Sequence, residues 1–203
     1  MTENGYGSWI RPVSARPSAE ISEEERRYET GQDPVVLDII DIPFIAPAPL
    51  LHQTENHIID GEYYRAKRGE LPWEEMKRLV DKPETLWPNG DSTYLGLNDR
   101  IMLDTAAKMT GSLVLIQPIS PSIHVQTEGA EFGNPRRRVR ASFEYHGTNY
   151  ILIVTDPVAE RKFLGKPDGR YPLDESYLCI SLGEVHTDNY CYKLVAAVIM
   201  REL

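Results

Sequence analysis

Residues 150–165, YILIVTDPVAERKFLG, decide the fold class of this chain. The first six residues are an apolar, β-branched run that is typical of a buried strand. The rest predicts a short helix, because Asp156 suits the N-cap, Pro157 the first helical position and Gly165 the end. Which fold this strand and helix belong to depends on the strands around them.

Strand patterns lie on both sides of this segment. Before it, residues 112–119 and 138–145 predict two strands, and residues 123–127 either continue or pair with the first. After it, residues 177–182 and 190–200 predict two more. Three strands, a helix and two strands are the element order of an OB fold, a five-stranded, partly open barrel. A β-sandwich is the alternative, and the helix between the third and fourth strands favours the barrel.

The first half of the chain is less regular and more acidic. Residues 1–110 carry 20 acidic and 12 basic side chains, whereas residues 111–203 carry 11 and 10. Residues 35–45, VVLDIIDIPFI, predict a central strand, and residues 73–80 predict a helix packed on it. We therefore expect a mostly β (α+β) protein with a β unit and short helices over residues 1–110, and a five-stranded OB-like barrel over residues 111–203.

Composition excludes several classes of protein. The chain has no run of about 18 apolar residues, and its first residues lack the apolar core of a secretory signal, which predicts a cytoplasmic protein. A net charge of −9 argues against a protein that coats duplex DNA through bulk positive charge. Cys179 and Cys191 lie in apolar runs and predict buried free thiols rather than a disulfide or a catalytic thiol.

Five segments together resemble a bacterial family, the dual OB-containing domain. They are WIRPVS at 9–14, HQTEN at 52–56, VTDP at 154–157, SLGE at 181–184 and CYKLVAAVI at 191–199. Their order and spacing carry the resemblance, which spans most of the chain. It implies two OB-like units and nucleic-acid binding in prokaryotic conflict or antiviral defence systems. Family members look longer before WIRPVS, so the N-terminal OB-like unit is expected to be less complete and to lack its first strand.

The clearest electrostatic feature is NPRRRVR at residues 134–140. Alternation along a strand places three arginines on one face and Arg137 on the other. OB folds bind single strands on the face of strands two and three, so this face predicts a nucleic-acid surface. The predicted contacts are Arg136, Arg138, Arg140, Tyr145, Tyr150 and Lys193, and a place in the core is an equal alternative for the two tyrosines. The alternative is a solvated face that protects an edge strand or pairs with the acidic half.

A second polar cluster surrounds the HQTEN segment. The predicted ligand-facing residues there are Trp9, Arg11, His52, Gln53, Glu55 and Asn56. His52, Glu55 and His57 also suggest a metal site, with Asp38 and Asp41 as further oxygen ligands. Two histidines five residues apart do not share a helical face, however, so a polar loop that bonds its own backbone is favoured.

Three functions remain open. The leading hypothesis is an OB module that binds single-stranded or structured DNA or RNA. The second is an adaptor that docks onto a protein partner in a larger assembly, and the third is a metal-dependent hydrolase. No G-x-S-x-G elbow and no phosphate loop is present, so we do not expect an enzyme. We expect no cofactor, no bound metal and no membrane contact.

Overall fold

The computed structural model describes residues 7–201. They divide into two compact units, one running to Leu79 and including Thr110–Ser112, the other comprising Val80–Met109 and the chain from Leu113 onward. The sequence-based boundary at residue 110 differs from this division. Residues 80–109 join the second unit because they bond to its strands. The Asp81 amide, for example, donates to the Leu115 carbonyl over 2.8 Å.

The first unit contains five short strands. Its elements are β1 (Arg11–Val13), α1 (Glu23–Arg26), β2 (Asp38–Asp41), β3 (Phe44–Pro47), β4 (Asn56–Ile59), β5 (Ala66–Glu70) and α2 (Met76–Leu79), the last preceded by a 3₁₀ turn over Trp73–Glu75. β4 lies between β1, which is parallel to it, and β3, which is antiparallel. β2 and β5 form a separate two-stranded sheet.

The prediction of one central strand over residues 35–45 is wrong. Leu37 has a φ of +75°, and Pro43 separates β2 from β3, which belong to different sheets. Val35 and Val36 are exposed instead of buried. The apolar, β-branched composition is that of a strand, but one left-handed residue and one proline divide the segment. The predicted helix over residues 73–80 is confirmed as the 3₁₀ turn followed by α2.

The second unit contains eight strands. Its elements are β6 (Arg100–Met102), α3 (Leu103–Ala106), β7 (Leu113–Ile116), β8 (Ile119–Glu128), β9 (Arg136–Tyr145), β10 (Thr148–Val154), α4 (Pro157–Leu164), β11 (Gly169–Pro172), β12 (Ser176–Val185) and β13 (Tyr190–Met200). The hydrogen-bonded order is β11-β8-β9-β10-β13-β12-β7, and β6 pairs with the first three residues of β13.

This order is that of an OB fold. β7 and β8 are successive segments separated by Gln117 and Pro118, so together they act as one bent first strand. β7 pairs with β12 and β8 pairs with β9, which joins the two ends of the sheet through the chain itself. β10 and β13 are parallel, and α4 follows β10 in sequence. The parallel pairing of β10 with β13 covers two residue pairs, Ile153 with Leu194 and Val154 with Val195, so the barrel is held least closely there and is partly open.

The VTDP segment fixes α4 to the barrel. The Asp156 carboxylate accepts hydrogen bonds from the Val158 amide at 2.9 Å and the Ala159 amide at 3.3 Å, which caps the helix. Its second oxygen accepts from the Val198 amide on β13 at 2.9 Å. Phe163 then packs into the core of the barrel. The role of Asp156 is therefore to position a helix.

Candidate nucleic-acid interface

β8 and β9 present one apolar face to the core and one polar face outward. On β9, Val139 and Ala141 are fully buried, whereas Arg136 is exposed, Arg138 is partly exposed and Arg140 is mostly buried. The register places these three arginines opposite Glu128, Gln126 and His124 of β8. Because side chains opposite each other in a ladder share a face, the outer surface of this part of the hairpin is polar.

Arg140 is committed to an internal ion pair. Its Nε and one terminal nitrogen donate to the two carboxylate oxygens of Glu128 over 2.7 and 3.0 Å. The side chains of Arg140 and Glu128 are only 11% and 8% exposed. A second carboxylate, that of Asp99, lies 3.9 Å from Arg140. Because the Arg140 guanidinium already donates to Glu128, it is a poor donor to an external phosphate.

The guanidinium groups of Arg138 and Arg136 remain accessible to an external ligand. Arg138 is 42% exposed, and its Nε lies 4.0 Å from Glu128, which already accepts two bonds from Arg140. Arg136 is exposed at the start of β9 and forms no ion pair within residues 7–201. Two of the three predicted arginines therefore present their guanidinium groups to solvent.

Arg137 lies on the opposite face, as strand alternation predicts. Its guanidinium donates to the carbonyls of Leu164 and Lys166, over 2.8 and 2.6 Å, and pairs with Asp168 at 2.9 Å. Leu164 is the last residue of α4 and Lys166 lies just beyond its end, where a helix leaves backbone acceptors unsatisfied and carries partial negative charge. Arg137 therefore holds the helix against β9.

Arg170 is a fourth arginine that the sequence reasoning missed. It lies on β11, exposed, directly opposite His124 of β8, and forms no ion pair among the described residues. Burial, together with the neighbouring Arg170 charge, lowers the pKa of His124, whose Nε2 lies 2.7 Å from Ser142 Oγ. Arg170 was missed because β11 is a four-residue strand inside a loop rich in Pro, Asp and Gly. We call Arg136, Arg138 and Arg170 the arginine face.

A shallow cavity adjoins the arginine face. It has a volume of about 300 Å³, and its polar lining includes Arg170, Glu144, Ser142 and Asn149. Leu97 and Ile151 form part of its apolar wall. Because the lining holds one cationic and one anionic side chain, the cavity does not by itself select an anionic ligand.

Two exposed aromatic side chains stand beside the same sheet. Tyr94 and Phe132 are 76% and 74% exposed. Their ring centroids are 6.1 Å apart with an interplanar angle of 82°, an edge-to-face arrangement. We call them the aromatic pair. Phe132 lies between β8 and β9, in a 3₁₀ turn over Ala130–Phe132. Sequence reasoning missed both residues because nothing in their neighbours marks a loop aromatic as exposed.

The structure corrects the prediction for Tyr145 and Tyr150, because both side chains are buried. Tyr145 donates through its hydroxyl to the Pro83 carbonyl over 2.9 Å. Tyr150 is stacked on Phe143 with centroids 5.4 Å apart, and its hydroxyl accepts from Asn89 Nδ2 at 3.0 Å. These tyrosines serve the core of the barrel and are not available for stacking with bases.

Lys193 is also corrected, because its side chain is fully buried. Its Nζ donates to the Pro88 carbonyl and to Asn89 Oδ1, each at 2.8 Å, and lies 5.5 Å above the Tyr150 ring. Burial lowers the pKa of the Lys193 ammonium to about 7, opposed by the attraction of Asp99. Lys193 anchors the turn at residues 88–89 and cannot reach a phosphate at the surface.

In the first unit, most side chains of the HQTEN cluster are buried and bond within that unit. His52, Gln53, Glu55 and Asn56 are all buried, which contradicts a ligand-facing role. Glu55 accepts from the amide of Ser112 at 3.3 Å and from its hydroxyl, and the Asn56 side chain donates to Gln53. These contacts are those of a packed structural element.

The WIRPVS segment lies directly beside this cluster. β1 is parallel to β4, with Arg11 opposite Asn56, and the Arg11 guanidinium donates to Ser112 Oγ over 2.8 Å. Trp9, at the start of the segment, is 37% exposed. The His57 ring nitrogen Nδ1 bonds the Glu55 carbonyl at 2.9 Å, and no three metal-ligating side chains converge among residues 7–201.

Strand order, the parallel β10–β13 pair and the helix after β10 define an OB-type β protein. The chain matches the family described as dual OB-containing domain over residues 1–198, and it belongs to that family. Comparison with curated proteins found no match, and neither did comparison with solved structures. Within residues 7–201 no helix has the length and apolar character needed to cross a membrane.

Proposed function

We propose that the second unit binds nucleic acid through the arginine face. The observation that carries this proposal is the presence of three solvent-accessible guanidinium groups, Arg136, Arg138 and Arg170, on one outer sheet surface of an OB fold. OB folds use the face of strands two and three for oligonucleotides. Arg136 and Arg138 lie on β9, which is strand two here, and Arg170 lies on β11, on the other side of strand one. Alternate residues of a strand lie about 6.5–7 Å apart, close to the phosphate repeat of an extended strand.

The acidic character of the whole chain does not oppose this proposal. The net charge of −9 comes largely from residues 1–110. On the sheet itself, the Glu128 carboxylate pairs with Arg140, so it offsets little of the positive charge of the exposed arginines. Because screening at physiological salt acts over about 8 Å, the local sign of the arginine face matters more than the total.

The finer assignment follows the family resemblance. We propose a bacterial protein that acts in the cytoplasm as part of a conflict or antiviral defence system. Cys179 and Cys191 are free thiols, which suits a reducing compartment.

The test is oligonucleotide binding by fluorescence anisotropy at several salt concentrations. The variant replaces Arg136, Arg138 and Arg170 by alanine. Each arginine that neutralises a phosphate contributes about 0.7 to the slope of log K against log salt on a single strand, so the slope should fall by about 2. The matched control removes the same charge from exposed arginines elsewhere, Arg68, Arg78 and Arg161.

The control should keep the wild-type slope. Equal losses in both triple variants would mean that total charge, and not the arginine face, governs binding. No affinity of the wild-type protein at about 50 mM salt, where phosphate contacts are strong, would reject nucleic-acid binding altogether.

An adaptor role is the second candidate, and one observation favours it. Tyr63 and Tyr64 of the first unit are 64% and 61% exposed. They line two cavities, each of which also has Glu29 and Glu62 in its wall and more carboxylates than its single arginine, Arg68 or Arg27. Exposed aromatics with acidic neighbours suit a protein partner that carries basic residues. Tight association with such a partner, without salt-dependent oligonucleotide binding, would favour this function.

A further inference from the structure

We propose that the aromatic pair, Tyr94 and Phe132, is a stacking platform for unpaired bases, so that the ligand of the arginine face is single-stranded nucleic acid. This inference rests on the proposed function and names its substrate class. Two neighbouring rings, each about three-quarters exposed, stand at a sheet that also presents three arginines. A basic groove for the backbone combined with exposed aromatic rings for the bases is how sequence-tolerant single-strand binding is built.

The loop that carries Phe132 has a fixed shape. Gly129 has a φ of +77°, and a Cβ there would lie 2.7 Å from the Asn134 carbonyl oxygen, so only glycine fits. Its own carbonyl accepts from the amides of Phe132 at 3.1 Å and Asn134 at 3.0 Å. This is the loop between strands one and two of the barrel, one of the two loops that flank ligands in OB folds. Arg136 follows it directly at the start of β9.

The loop that carries Tyr94 is fixed by Asp99. The buried Asp99 carboxylate accepts from the Thr93 amide at 2.7 Å and from the Thr93 hydroxyl, and that hydroxyl accepts from the Gly96 amide at 3.0 Å. A Cβ on Gly96 would lie 1.7 Å from an Asp99 oxygen, so the backbone passes too close for any side chain. Asp99 also lies 3.9 Å from Arg140, which places this loop against the polar sheet face.

Further contacts attach the same loop to β10. Asn98 donates from its side-chain amide to the Asn149 carbonyl over 3.0 Å. Leu97 and Ile151 exchange backbone hydrogen bonds of 3.0 and 3.1 Å. Tyr94 is therefore exposed on a loop whose backbone is held by hydrogen bonds, so little backbone entropy is lost when a base stacks on its ring.

Base stacking discriminates between single strands and duplexes. A duplex keeps the faces of its bases covered by their neighbours, whereas a single strand can present them to protein rings. The edge-to-face geometry of Tyr94 and Phe132 leaves ring surface open to solvent, as their exposure requires. Because the rings carry no charge, they should add affinity without changing the number of phosphates neutralised.

The experiment compares the double variant Tyr94→Ala/Phe132→Ala with wild type, using a labelled thymidine oligomer of about 12 nucleotides, within the usual site size of OB folds. The same assay is run with a duplex of equal length. For the single strand we expect about 10- to 100-fold weaker binding with an unchanged salt slope, and for the duplex little change. The matched control is Tyr63→Ala/Tyr64→Ala, which removes two comparably exposed rings from the first unit.

Each result has a defined meaning. Unchanged affinity of the aromatic variant, equal loss on the duplex, or equal loss in the tyrosine control would reject the stacking platform while the arginine face stands. No binding by wild type would reject the proposed function itself. The exchange variant Tyr94→Phe/Phe132→Tyr, which retains both rings, should keep wild-type affinity. Circular dichroism checks folding, and the single alanine variants replace the double variant if it unfolds.

Discussion

Two polar segments of this molecule suggest a ligand site in sequence but lie in different environments in the structure. They are the HQTEN segment at residues 52–56 and the arginine run, NPRRRVR, at residues 134–140. Four of the five side chains of the HQTEN segment in the first unit are buried, and Asn56 bonds to Gln53 and Glu55 to Ser112. The arginine run of the second unit lies along a ten-residue strand whose alternate residues point outward. Polarity alone therefore does not indicate a ligand site. The period of the pattern indicates which side chains face outward, because in the arginine run polar residues alternate with buried apolar ones.

The largest effect that tests this comparison is expected for Glu55→Ala. This change removes the acceptor of the Ser112 amide and hydroxyl and the ion-pair partner of Arg11 at 3.5 Å. Loss of one partner from such a buried cluster costs about 3–5 kcal/mol of unfolding free energy. Urea denaturation measures it, with the exposed Glu62→Ala as control. A stable Glu55→Ala protein with altered oligonucleotide affinity would return the HQTEN cluster to the candidate sites.

The second prediction divides the arginine run itself. Arg140→Ala leaves the nearly buried Glu128 carboxylate without its two-bond partner, so we expect a loss of about 3 kcal/mol in unfolding free energy. Arg136→Ala, at an exposed position, should stay within about 0.5 kcal/mol of wild type. Denaturation midpoints of the two variants distinguish them. Equal stabilities would mean that Arg140 is as available to a ligand as Arg136.

The third prediction concerns Lys193 and pH. The folded pKa of about 7 lies below the usual lysine value of 10.5, so the unfolded chain binds the proton more tightly. Stability should therefore rise between about pH 7 and pH 10, by up to about 1.4 kcal/mol per pH unit, and Lys193 should add no slope below that window. Lys193→Met should remove this slope. Denaturation at several pH values checks it, and an unchanged slope in the variant would contradict the burial of the ammonium.

The fold of the second unit could be predicted because its signals are local and agree with one another. The alternation of β9, the apolar run of β10 and the Asp-Pro start of α4 all appear in consecutive residues. Family resemblance added the OB-like character of the whole chain, which the family match confirms. In the first unit, strands of three to five residues are too short to show a clear alternation of apolar and polar residues. The positive φ at Leu37 also interrupts the predicted strand.

The candidate site was predicted only in part, for a different reason. Which arginine is paired depends on carboxylates brought from other elements, as Glu128 and Asp99 are brought to Arg140. The exposure of Tyr94 and Phe132 depends on loops whose shapes are set by Gly96 and Gly129. Lys193 has the sequence context of any strand lysine, and only the arrangement of β13 against the turn at residues 88–89 buries it. These are long-range consequences of folding.

We propose that accessible arginines of the second unit, rather than total charge, bind nucleic acid. The decisive measurement is the salt dependence of oligonucleotide affinity for wild type and for the variant with Arg136, Arg138 and Arg170 replaced by alanine. We expect the slope of log K against log salt to fall by about 2 in this variant, while the equally charged Arg68, Arg78 and Arg161 variant keeps the wild-type slope. An unchanged slope in the first variant, or an equal fall in both, would show that the arginine face does not bind nucleic acid.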